Sequence, residues 1–116
     1  MTRFASIAAG FAFAAVLMAG SAFAESVRVE AAAPLPSGLY QTRAAMVPYQ
    51  AGELASDDGA RAVYARIEAS THAVCGENLA QQPSEAMTHK YAACRARAMA
   101  GAVKDLDSPR LTAIAH

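Results

Sequence analysis

Residues 56–76 read SDDGARAVYARIEASTHAVCG, and the fold is read outward from them. Ala60, Val63, Tyr64, Ile67, Thr71, Val74 and Cys75 recur at i, i+3, i+4 and i+7 spacing. At about 100° per residue they gather within roughly a third of a helix circumference. Ser56 stands where an N-cap is wanted, and Asp57 and Asp58 lie at the positive end of the helix dipole. Gly76 can take the left-handed conformation that ends a helix. The spacing predicts an amphipathic helix over 57–75, with Cys75 closing its apolar face.

Toward the C-terminus, a polar loop from Glu77 to Pro83 leads to Ser84, which can cap a second helix with Glu85 in its first turn. Met87, Tyr91, Cys94, Ala98 and Ala102 form its apolar stripe. Ala92, Ala96, Met99 and Val103 make a second, flatter stripe on another face, and Lys90, Arg97 and Lys104 form a solvated ridge. Pro109 stops this helix, because the residue before a proline disfavours helical geometry. Ser108-Pro109 can start a last short helix through Leu111 and Ile114.

Toward the N-terminus the pattern weakens. Val27-Arg28-Val29 and Met46-Val47-Pro48-Tyr49 are short extended runs that can pair, and Pro48, with no N–H to give a ladder, confines its run to an edge. Pro34, Pro36 and Gly38 break both periodicities, so residues 25–43 read as a linker or extended segment before a helical domain at 44–116. Residues 1–24 follow the plan of a secretory signal: Arg3, an apolar run from Phe4 to about Ala19, then Ala22-Phe23-Ala24 as a peptidase site. The apolar run is shorter than the roughly 20 residues that span a bilayer. Cleavage after Ala24 would leave a small domain with ten acidic and nine basic side chains, a balance that points away from nucleic acid. The expected location is therefore exported, periplasmic or secreted, with no membrane span after cleavage.

The expected fold is mainly α: a disulfide-linked helical hairpin, a short N-terminal extended segment beside it, and a short C-terminal helix. Cys75 and Cys94 both sit on apolar helix faces in a chain bound for an oxidising compartment, which predicts a Cys75–Cys94 bridge across the helix interface. A redox pair would favour a C-x-x-C at a helix N-terminus, whereas Cys75 is at a C-terminus and Cys94 is mid-helix. A metal site would have to recruit His72 and His89, and His89 projects roughly 140° from Cys94 on an ideal helix. No haem motif, phosphate loop or nucleophile elbow is present.

Val47-x-Tyr49, Leu54, Gly59, Ile67, Val74-Cys75-Gly76, Tyr91-x-x-Cys94, Ala102-Val103, Pro109 and Leu111, in this order behind a signal segment, resemble the UrcA family of small exported proteins with a cysteine pair. The resemblance runs from about Met46 to Ile114. It departs at Ala51-Gly52-Glu53-Leu54, where the family tends to carry an acidic Asp-Leu-x-Leu run. It implies no catalytic residue and no cofactor. The expected function is a non-enzymatic interaction module that binds an envelope protein or itself. One helix neighbour covers only one stripe, so Ala92, Ala96, Met99 and Val103 are to be covered either by the N-terminal run around Met46–Tyr49 or, as the candidate surface of the module, by another protein or a second copy. The alternative is a metal-handling or redox protein using the His72 and Cys75 region.

Overall fold

The computed structural model describes residues 25–80 and 82–116; the expected signal segment lies outside the described residues. Two ten-residue strands, β1 (Glu25–Pro34) and β2 (Tyr40–Tyr49), form an antiparallel hairpin. After a 3-10 turn at Ala51–Ala55 come α1 (Asp57–Val74), a second 3-10 turn (Glu77–Leu79), α2 (Glu85–Leu106) and α3 (Pro109–Ala115). The architecture is mixed α/β, with helices on one face of a two-stranded sheet. The expectation of a mainly α helical hairpin is overturned.

Residues 25–43, expected as a linker or extended segment, are β1, its turn and the start of β2. Pro36 sits inside the turn, Gly38 donates its N–H to the Leu35 carbonyl at 3.0 Å, and the Leu35 N–H bonds the Leu39 carbonyl at 2.9 Å. Gly38 has φ +92°, a conformation glycine adopts without the Cβ clash other residues meet. The breakers are thus the punctuation of a hairpin. The strand was hard to see because Ala31-Ala32-Ala33 carries neither β preference nor a strong alternation.

Val27 faces Val47 and Val29 faces Ala45, as the two short apolar runs allow. Val27, Val29, Ala33 and Val47 are buried, while Arg28, Glu30, Ala32, Thr42, Ala44 and Met46 are exposed, so one sheet face is covered and one is wet. In an antiparallel ladder, pairs alternate between those that bond each other and those whose N–H and C=O face outward. Counting from the Leu35–Leu39 bond, Pro34 and Pro48 both fall in outward-facing pairs. Neither proline therefore removes a ladder bond, and the outward Pro48 carbonyl instead accepts from Arg66 Nη1 at 3.3 Å.

α1 forms as its spacing predicts. Ser56 Oγ accepts from the Gly59 N–H at 3.1 Å, and Ala60, Val63, Ile67, Thr71 and Val74 are buried. Burying a side chain such as Ile67 contributes about 1.5–3 kcal/mol. α2 is capped by Ser84 and buries Tyr91, Cys94, Ala98 and Ala102. That stripe packs chiefly against β1 and only secondarily against α1, which corrects the expected helix-on-helix pairing. Alanines at 98 and 102 let the helix axis approach the strand closely. α2 ends with Asp107 in the left-handed region (φ +49°), and Ser108 then caps α3, its Oγ accepting from the Leu111 N–H at 3.3 Å.

The Ala51–Ala55 turn is strapped to α1. Glu53 takes a two-pronged ion pair from Arg66, with Nη1 to Oε1 at 2.9 Å, and accepts the Gln50 N–H at 2.8 Å. The Arg66 hydrogen bonds, then the Gln50 N–H, hold the Glu53 carboxyl well below the usual range, to about 2. A carboxyl with a depressed folded value adds stability that is fully present above its unfolded value and is lost as pH falls toward the folded one. Glu53→Gln is therefore expected to cost about 1 kcal/mol at neutral pH, a discounted figure because Arg66 is partly exposed. The gap from the parent should close between about pH 4.5 and pH 2 in urea titrations. A gap that persists unchanged at the acid end would show that the pair is not the cause.

Candidate functional site

The second stripe of α2 opens into a groove. α1 contributes Tyr64, Glu68 and Thr71; α2 contributes Ala92, Ala96, Met99 and Val103, among others; α3 contributes Thr112 and Ala115. The cavity holds about 680 Å³. Val103 is buried and belongs to the core cluster, Met99 is half-buried against it, and Ala92 and Ala96 are exposed. Thus all four residues of the candidate surface share one concavity. The Met46–Tyr49 run, an expected cover for this stripe, lies in β2 and lines no part of it.

Helix geometry accounts for the shape. The stripe at Tyr91, Cys94 and Ala98 commits one face of α2 to the sheet, so Ala92, Ala96 and Met99 must point elsewhere. Small residues at 92 and 96 leave a trough. α3, seven residues long, closes only one end. The lining carries both charge signs: Arg95 and Lys104 are basic, Glu68 and Asp107 acidic. Thr71 Oγ1 is buried and donates to the Glu68 carbonyl at 2.6 Å, so its hydroxyl hydrogen is spent within the helix. Tyr64 flanks the α1 stripe and is half-buried at the groove wall rather than in the core.

Cys75 and Cys94 are joined, with an S–S distance of 2.06 Å and Cα atoms 6.0 Å apart. Both are fully buried. Beside the bridge, Glu77 on the second 3-10 turn bonds His72 Nδ1 and also pairs with Arg95, whose side chain continues into the groove. Gly76, at φ +79°, makes the turn that brings Glu77 back, and Arg43 Nη1 would lie 3.3 Å from a Cβ placed there. One carboxylate therefore ties the end of α1 to the middle of α2, next to the crosslink. His89 instead faces Glu85 at 3.9 Å on an exposed helix turn. Among the described residues, no group of three or more His, Cys, Asp or Glu side chains is placed to hold a metal ion. His72 and His89 thus serve separate carboxylates, and the sulfurs are engaged with each other.

Sequence reasoning did not single out Glu77 and Arg95. Their separation of 18 residues belongs to no local pattern, and only the tertiary turn makes them neighbours. The acidic pair at the start of α1 was legible: Asp57 meets Arg110 of α3 at 2.7 Å and Asp58 meets Arg61 at 3.3 Å. These are structural ties at a helix start.

What fold and site define is a small two-layer α/β domain in which the end of α1 is crosslinked to the middle of α2 and the helical layer holds an open groove. The chain matches no protein-family model, no curated protein and no solved structure. Among the described residues, no helix is long and apolar enough to cross a membrane.

Proposed function

We propose that the protein is an exported, non-enzymatic interaction module of the UrcA type, whose groove receives apolar side chains from a protein of the cell envelope. The observation that carries this reading is the groove itself. Its lining is apolar at Met99, Val103 and Ala96 and carries basic Arg95 and Lys104 as well as acidic Glu68 and Asp107. An apolar lining supplies affinity, and charges of both signs select orientation and exclude mismatched partners. A concavity of this volume suits a few side chains. The resemblance gains physical sense at three residues: the crosslinked Cys75 and Cys94, and Gly59, where the Glu53 backbone leaves no room for a side chain.

Met99→Lys tests the reading. Met99 is half-buried in an open groove, so a lysine can carry its ammonium to water along the groove wall. Stability should fall by less than about 1 kcal/mol, well short of the cost of a charge forced into a core. The full chain is expressed and the exported product recovered; mass spectrometry should find Glu25 as its first residue. Parent and variant are then used to capture envelope proteins, and captured partners are purified and titrated against both. A partner that binds the parent and not Met99→Lys, at equal melting temperature, supports the proposal. Equal binding by both overturns it, as does a Met1-containing cytoplasmic product.

A further inference from the structure

We propose that β2 pairs edge to edge with β2 of a second copy of this chain, antiparallel about a two-fold axis at Ala44, to give a four-stranded sheet.

Among the described residues, β2 has a single strand neighbour, β1. Counting the ladder from the Leu35–Leu39 bond places Thr42, Ala44 and Met46 in pairs whose N–H and C=O face away from β1. Such a row of unpaired backbone groups is a template for another strand, and proteins usually blunt it with lysines, prolines, bulges or a covering element. Between Tyr40 and Tyr49 the only charged side chain is Arg43, and it lies on the helix-covered face. Pro48 guards one end only. The edge of β1 is different: α2 packs along that strand, and Cys94 Sγ lies 3.6 Å from the Ala32 carbonyl oxygen. The exposed apolar bulk also collects on the β2 side, with Leu39, Tyr40 and Met46 at 67%, 56% and 57% exposure.

A second copy fits this edge by symmetry. Residues 42, 44 and 46 are centred on Ala44, so a two-fold axis there sets Ala44 opposite Ala44 and Thr42 opposite Met46. Each of the three outward N–H groups then meets a carbonyl of the other copy, and side chains keep their faces because like parity meets like parity. Met46 packs beside the Thr42 methyl, and Arg43 falls opposite Ala45. Moving the axis to Arg43 would oppose two guanidinium groups, which is destabilising. Moving it to Ala45 would set Pro48, which has no N–H, opposite Thr42 instead of Tyr40, and would leave two fully bonded pairs where the Ala44 register has three. The Ala44 register thus pairs Thr42, Ala44 and Met46 together and keeps Arg43 away from Arg43.

Sedimentation equilibrium on exported protein, recovered from cells expressing the full chain, tests this. The parent should show a dimer whose fraction rises with concentration. Ala44→Pro removes one outward N–H and places a ring on the free edge without touching a β1–β2 bond. It should be monomeric at the same concentrations with its secondary structure intact. Ala44→Lys, on the wet face, would set two ammonium groups against each other and should also be monomeric. It decides the matter if the proline variant does not fold. A parent that sediments as a monomer throughout overturns the proposal, and so does a dimer that survives in Ala44→Lys. Because the readout is self-association at Ala44, its failure leaves the groove reading standing, and a failure of Met99→Lys leaves this one standing.

Discussion

Gly59→Ala is expected to destabilise the protein by about 3 kcal/mol or more, as overpacking against rigid backbone does at its severe end. Helix propensity alone predicts the opposite sign, because alanine is favoured over glycine in a helix by about 1 kcal/mol. The structure reverses that preference. A Cβ at residue 59 would overlap the Glu53 carbonyl oxygen and lie 2.8 Å from the Glu53 Cα and carbonyl carbon. These are backbone atoms, so no side-chain rotation relieves the clash. The 3-10 turn would have to move, and with it the Arg66–Glu53 pair and the Gln50–Glu53 bond. Gly52→Ala is the control: a Cβ there meets nothing within 4 Å, so the change should stay within about 0.5 kcal/mol. Denaturant titration of the two variants separates close approach from generic glycine effects. Equal stabilities for Gly59→Ala and the parent would show that the turn is not held against the first turn of α1.

Removing the crosslink should have a loss of similar size. Cys75 and Cys94 are 19 residues apart, and closing a loop of that length stabilises by about 3 kcal/mol through the entropy of the unfolded chain. For a small domain with a total of about 5–15 kcal/mol, that is a large fraction. The Cys75→Ala/Cys94→Ala double variant should melt well below the parent. Reductant should lower the parent's melting temperature and leave the double variant's unchanged. Alkylation of denatured, unreduced exported protein should find no free thiol. Two alkylated cysteines would sink the bridge. The bridge also fixes the corner where His72, Glu77 and Arg95 meet, so the double variant should loosen the groove wall formed by Arg95.

The helices were legible because their signals are local. Ser56, Ser84 and Ser108 each cap a helix through an N–H three residues on, a contact decided within one turn of chain. Ala60, Val63, Ile67 and Val74 share a face by the 3.6-residue period alone, and all four are buried. The Cys75–Cys94 bridge followed from two apolar helix faces in a chain expected to reach an oxidising compartment. The second stripe of α2 was visible for the same reason: a helix that commits one face must do something else with another.

The hairpin was not legible in full. Its period-2 signal is carried by Val27, Val29 and Val47, and an alanine-rich stretch dilutes it while Pro34, Pro36 and Gly38 read as breaks. Whether such residues separate domains or turn a hairpin depends on whether Val27 and Val29 meet Val47 and Ala45, pairs 20 and 16 residues apart that a short local window does not join. The same holds for the layer order. That Ala98 and Ala102 would meet β1 rather than α1 is settled by total burial across the molecule. Glu77 with Arg95 and the free edge of β2 likewise exist only once distant segments are packed, and Gly59 meets the Glu53 backbone only because the turn between them folds back. Local periodicity and capping determined the helices, their ends and the crosslink. Nonlocal burial decided the sheet, the groove it leaves open and the edge it leaves unpaired, because apolar surface is covered wherever area can be removed from water, without regard to sequence distance.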